Sequence, residues 1–242
     1  MGCRLGRRAF SLLTGAGLCG AAVLGSAPAF SIPEAAAIKK LEVIPVFVIT
    51  DEKGVPLPIP KDKTLILPLY LESATAQNEL AGLQKNNPKI KAGVVGIPLN
   101  VMNEKVEELN KQLKDKTMTL VAPVMVNPVD RQEATKLLKA QGLTDQQINE
   151  GMSVPVFFTK PFLTVQTPEG PRGVFFLSYA DLQRGLAKVP NREQLKPQVA
   201  DLSAVMREII KAKDDNYVIF PTPDYFRLVQ EAQSKGGAPA AK

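Results

Sequence analysis

Ile44-Pro45-Val46-Phe47 recurs further along the chain as Val154-Pro155-Val156-Phe157. Internal repetition sets the number of folding units, so it is read before local structure. Working outward from these two stretches, one layout occurs twice. In the first copy the apolar run Val43 to Ile49 meets a turn at Asp51-Glu52-Lys53-Gly54, and a second apolar run spans Leu65 to Leu71, the pattern of a hairpin. In the second copy Val154 to Thr159 and Phe162 to Gln166 lead into Pro168-Glu169-Gly170, and Gly173 to Leu177 follows as a further strand.

A helix is expected after each hairpin. Ser73 can cap one whose apolar positions are Ala76, Leu80 and Leu83, and Ser178 one carrying Leu182 and Leu186. Leu99-Asn100-Val101-Met102 and Leu202-Ser203-Ala204-Val205-Met206 each open another helix. In the first of these Met102, Val106, Leu109 and Leu113 share a face, so the methionine reads as core. Asn127-Pro128 and Thr222-Pro223 each end an apolar strand and start a helix. The side-chain oxygen takes a free backbone N–H, and proline at the first helical position lacks only a donor that would be unpaired. The prediction is an α/β fold of two pseudo-symmetric β-β-α-β-α-β-α repeats, with mixed sheets and helices packed against them. The strand near Val199 is the weakest, squeezed between Pro197 and Asp201. Pro45 and Pro155 sit in runs that otherwise read as central strands, where proline cannot donate; they belong at strand starts or edges, or beside a bulge.

The N-terminus has the layout of an export signal: Arg4, Arg7 and Arg8, then the uncharged apolar stretch Leu12 to Leu24, then Ala27-Pro28-Ala29 as a peptidase site. The apolar stretch is shorter than the roughly 20 residues a spanning helix needs, which argues against an anchor. Arg7-Arg8 resembles a twin-arginine signal, and the Sec route stays open beside it. The expected divisions are a cleaved signal over 1–29, a linker over 30–41, the first repeat over 42–143, a linking segment over 144–151, the second repeat over 152–233 and a disordered tail over 234–242. Thr144-Asp145-Gln146-Gln147 looks like a capping box for a short helix in the linking segment. No run after the signal is long enough to span a membrane.

Cleavage would remove Cys3 and Cys19, both cysteines of the chain, and three of its 30 basic residues. The net charge then falls from +6 to +3, and without a basic stripe of interleaved aromatics nucleic-acid binding is not expected. The chain has no histidine and no tryptophan. The commonest general base, nitrogen ligand and thiol nucleophile are thus missing from the expected mature protein, so no catalytic site, metal or cofactor is expected. Asp51-Glu52 and Asp214-Asp215 are the carboxylate pairs a hydrolase could use, but both lie in polar turns where solvated carboxylates are ordinary. Apolar surface is the remaining candidate. Phe157-Phe158 and Phe175-Phe176 project to opposite sheet faces, so one face either is buried or lines a groove.

The signal, the Val43 to Phe47 strand, its repeat through Phe158-Thr159-Lys160-Pro161, and Phe175-Phe176-Leu177-Ser178-Tyr179-Ala180-Asp181-Leu182-Gln183 resemble the twenty-two-kilodalton component of the translocon at the inner envelope of chloroplasts, in its cyanobacterial form. The resemblance covers nearly all of the expected mature chain. It implies a soluble periplasmic protein, with the thylakoid lumen as an alternative, that escorts unfolded outer-membrane precursors. A client groove would be bordered by Pro45, Phe47, Pro155, Phe157, Phe158 and Phe162. The competing expectation is a scaffold that docks on the outer-membrane β-barrel assembly protein without touching unfolded chains.

Overall fold

The computed structural model of the chain describes residues 32–234. The expected signal, and the expected tail beyond Ser234, lie outside the described residues. The elements run α1 (Glu34–Lys39), a 3-10 turn (Lys40–Val43), β1 (Pro45–Asp51), β2 (Ile59–Lys61), β3 (Thr64–Ile66), β4 (Leu69–Tyr70), α2 (Ser73–Asn86), β5 (Ala92–Pro98), α3 (Leu99–Gln112), β6 (Thr119–Val121), β7 (Val124–Met125) and α4 (Pro128–Ala140). After α5 (Asp145–Gly151) come β8 (Pro155–Lys160), β9 (Thr164–Thr167), β10 (Gly170–Phe175), α6 (Tyr179–Leu186), a 3-10 turn (Arg192–Gln194), β11 (Lys196–Asp201), α7 (Leu202–Lys211), β12 (Tyr217–Ile219) and α8 (Pro223–Ser234). This is the mixed α/β architecture expected.

The first sheet has the order β5-β1-β4-β7, with β1 antiparallel to β4 and β5, and β4 parallel to β7. In the second half β8 is antiparallel to β11, a single antiparallel bridge joins Phe157 to Phe176, and β10 is parallel to β12. These pairings have the same sense as those of the first sheet but are divided between two sheets, β11-β8 and β12-β10-β9. Pro45 and Pro155 are the first residues of their strands, opposite Pro98 and Asp201, which resolves their placement without a bulge.

The expected hairpins need correcting. Strand β1 meets β4 only at Phe47↔Tyr70 and makes its long ladder, seven positions from Pro45 to Asp51, with β5. Between β1 and β4 the chain inserts the β2–β3 hairpin, which pairs with β6 in a separate sheet. Likewise β10 forms its hairpin with β9, turning through Gly170 at φ +118°, a conformation glycine adopts without strain. The segment expected as linker over 30–41 also differs, for α1 packs against α7 and buries Ala37, and the 3-10 turn after it buries Leu41. With six residues and no side-chain cap, α1 gives no sequence signal of its own and is held by that packing.

Side-chain alternation divides β1 between two cores. Val46 and Val48 join Val156, Leu202, Val205 and Ile209 in the central core shared by both halves. Phe47 and Ile49 point the other way, toward Tyr70, Ala76 and Leu228. On β8, Val156 faces the central core and Phe157 a third cluster. Strands buried on both faces read as unbroken apolar runs. Met102, fully buried, takes the core role expected of it.

Each half's last helix packs on the other half. Helix α4, capped as expected by the Asn127 oxygen accepting from Val129 N–H at 2.8 Å, brings Ala134 and Leu138 to Phe157, Phe176 and Leu182. Helix α8 brings Leu228 to Phe47. Gly96 permits that approach: a Cβ there would lie 2.7 Å from Leu228 Cδ1 and 3.0 Å from Phe47 Cε1. The linking helix α5 carries the expected capping box, Thr144 and Gln147 bonding reciprocally.

Candidate functional site

One member of each carboxylate pair holds local structure. Asp51 accepts from the N–H groups of Lys53 and Val55 at 2.8 and 2.9 Å and holds its turn. Asp215 binds Lys40 at 2.6 Å and Arg172 at 2.9 Å, tying the turn after α1 to β10. Among the described residues no cluster of three or more acidic, cysteine or histidine side chains could hold a metal ion.

A deeper acidic pocket, about 250 Å³, collects Glu72, Asp130, Asp181 and Asp224 where the exchanged helices meet. Every one of these carboxylates has a partner. Glu72 accepts from Asn127 Nδ2 at 2.7 Å, Asp130 from Tyr179 N–H at 2.8 Å, Asp181 from Arg184, and Asp224 from Ser73 N–H at 2.8 Å. Asp130 and Asp224 thus supply helix-start acceptors to α6 and α2 of the opposite half. Ser73, expected as a cap, is the first helical residue and the recipient, while Ser178 does cap α6 through Ala180 N–H. Burial pushes the Asp130 carboxyl above its ordinary value, with Glu72 and Asp181 adding to it against the bond from Tyr179.

The six residues expected to border one groove are not brought together. Pro45, Phe47, Pro155 and Phe157 are buried, because both faces of β1 and β8 are covered by packed elements. Phe158 and Phe162 are half-buried and stack on each other at 5.3 Å, with Phe175 and Tyr217 against them. That quartet lines a cleft of about 310 Å³ closed by Ala204 and Ile209 of α7, with Lys160 and Glu208 at its edge.

A larger apolar groove lies elsewhere. It encloses about 640 Å³ between β9, α6, the Phe220-Pro221 segment and the start of α8. Leu163, Val165, Phe176, Phe220 and Phe226 form its walls, and Arg184 and Lys188 its rim. Phe226 is 50% exposed and Phe220 38%, high exposure for large apolar side chains that line one groove. Phe176 anchors the floor, its ring 5.3 Å from Phe220. Gly185 keeps α6 close, for a Cβ there would lie 3.1 Å from Leu163 and 3.3 Å from Phe176. A smaller counterpart in the first half, about 330 Å³, is lined by Ile49, Leu57, Ile59, Tyr70 and Leu83. Tyr70 and Phe176 occupy matching positions, each bridged to the phenylalanine of its half's first strand. Burial, then Glu79, pushes the Tyr70 hydroxyl above its ordinary value.

Phe220 and Phe226 were not singled out by sequence reasoning. A usable signal exists: Phe226 stands two positions before Leu228 on a helix, hence on nearly the opposite face from that half-buried residue. A large aromatic on the outer face of an amphipathic helix is the anomaly to look for.

No family model and no curated protein sequence matches the chain. Among solved structures, Anabaena Tic22, a protein assigned to protein transport, aligns with a TM-score of 0.66 at 22% identity over 83% of this chain and 97% of that one. Tic22 from Plasmodium falciparum aligns with a TM-score of 0.65 at 19% identity, over 83% of this chain and 98% of that one. The fold is therefore Tic22-like. Among the described residues no helix is long and apolar enough to cross a membrane.

Proposed function

We propose that this protein acts in protein transport as a soluble periplasmic chaperone, escorting unfolded outer-membrane precursors during outer-membrane biogenesis. The observation that carries the reading is the groove between β9, α6 and α8, where exposed Phe220 and Phe226 extend an apolar wall whose floor is the core residue Phe176. Burying a client's aromatic or aliphatic side chain there would contribute about 1.5–3 kcal/mol. No general base, nucleophile or metal is needed for such work. The Tic22-like fold supports the same role, since Anabaena Tic22 is a protein-transport protein.

The test is light scattering of a denatured outer-membrane β-barrel precursor diluted into the purified protein at near-equal concentration. Suppressed aggregation, lost in Phe220→Ser and Phe226→Ser variants that keep the native circular dichroism spectrum, is the expected result. Suppression that both variants retain would remove the groove from the reading. Absence of suppression, together with capture of the folded assembly protein, would favour the docking scaffold.

A further inference from the structure

Strand β9 is the outer strand of the sheet β12-β10-β9, and its first residues, Thr164 and Val165, line the large groove. The valence of that edge follows from the register. Val174 N–H donates to the Leu163 carbonyl at 2.9 Å, which makes Leu163 and Val174 a bonded pair. Bonded pairs alternate along an antiparallel ladder, so Val165 and Thr167 turn their backbone groups toward β10 while Thr164 and Gln166 turn theirs outward. The partners agree: Gly173, opposite Thr164, donates its N–H away from β9 to Asn216 at 2.8 Å, and Pro171, opposite Gln166, has no N–H.

Other sheet edges are blocked. Asn110 accepts from Leu120 N–H at 2.8 Å and donates to its carbonyl at 2.9 Å, closing β6. Lys40 donates to the Tyr217 carbonyl at 3.0 Å on β12. Strands β2 and β11 carry proline and lysine, β7 has two residues, and β5 is interrupted by Gly93 and Gly96 and ends at Pro98. Proline, edge lysine and side-chain covers are the usual defences against strand addition. Thr164-Val165-Gln166-Thr167 has none of them.

We propose that β9 receives an extended client segment as a new outer strand, its backbone bonded to Thr164 and Gln166. The client residue opposite Val165 then shares the groove face of the sheet, so alternate apolar side chains extend the wall formed by Val165 and Phe220. Lys188, which makes no ion pair among the described residues, favours a client carboxylate at the rim. The proposal rests on the client-holding reading above and adds the client's backbone as the recognised element.

The probe is a short fluorescent peptide alternating valine and threonine with one glutamate, compared with two versions N-methylated at every second residue in opposite phase. Anisotropy with the full chain should show the parent bound, one methylated version weakened about tenfold or more by the lost bonds, and the other little changed. Gln166→Pro should weaken the parent to a similar extent. Equal binding by all three peptides overturns the proposal, whatever Gln166→Pro does to folding, and so does failure of the parent to bind. Aggregation suppression that still depends on Phe220 in either case leaves the client-holding reading standing and removes only the edge.

Discussion

Asp224 of α8 accepts the backbone N–H of Ser73 at 2.8 Å across 151 positions of sequence, so the last helix of the second half completes the start of the first helix in the first half. Asp130 of α4 does the same for Tyr179 in the opposite direction. Asp224→Ala leaves the Ser73 N–H without its acceptor and removes one of the two carboxylate partners of Arg227, which keeps Glu231. The expected loss is about 1–2 kcal/mol of stability by urea denaturation. Asp224→Asn keeps an acceptor and should recover at least half of it. Equal loss in both variants would mean that the charge, not the cap, stabilises the junction.

Asp130 and Asp201 should titrate in opposite senses. Asp201 caps α7 and also accepts from Ser153 and Val154 N–H at 2.8 and 3.0 Å. Burial opposes its ionisation, but the bonds from Ser203, Val154 and Ser153 outweigh it and hold the carboxyl below its ordinary value of 3.8. Its stabilisation is therefore fully present above that value and lost as pH falls through the depressed folded value. Asp130 is raised, so its ionised form is the strained one, and that strain sets in as pH rises through the folded value. Asp130→Asn retains an oxygen for Tyr179 N–H and should be neutral or stabilising at pH 7, by up to about 1 kcal/mol. Asp201→Asn should destabilise at pH 7 and flatten the acid limb of the stability curve. Denaturation midpoints measured from pH 2 to 8 decide both.

Gly96 and Leu228 form a lock between the halves. Gly96→Ala puts a methyl 2.7 Å from Leu228 Cδ1, too close for any side-chain contact, and should cost about 1–3 kcal/mol. Leu228→Ala alone leaves a cavity beside Phe47 and should also destabilise. Because the added methyl fills space that the shortened Leu228 vacates, the double variant should be more stable than the sum of the two losses allows. Strict additivity in a double-mutant cycle would mean that α8 shifts as a body instead of packing against Gly96.

The limits of the sequence reading follow from the same contacts. The Ile-Pro-Val-Phe and Val-Pro-Val-Phe runs announce buried strands, and the Asn127-Pro128 and Thr222-Pro223 starts announce helices, because both signals are local. The choice of β5 over β4 as the main partner of β1 depends on residues far along the chain and leaves no local mark. The apolar stripe of α4, with Ala134 and Leu138, says that a core exists but not which half supplies it. Four of the six residues expected at a groove are buried for a related reason. Phe47 and Phe157 carry the repeated motif and draw attention, yet a motif built for packing is covered on both faces. Phe220 and Phe226 repeat nothing and remain exposed.

That contrast separates core from surface by experiment. Phe157 is fully buried among Phe176, Leu182 and Leu186, with its ring 5.4 Å from Tyr179, and Phe157→Ala should cost about 3–5 kcal/mol by leaving a cavity under α4 and α6. Phe226, half exposed on the outer face of α8, should tolerate serine within about 0.5 kcal/mol. Phe158→Ser lies between these, since one side of its ring rests on Phe162 and Phe175 while the other faces the smaller cleft. Thermal denaturation of the three variants tests this order. If Phe226→Ser destabilises as much as Phe157→Ala, the groove wall is part of the core, and its exposed rings would be serving the fold and not a client.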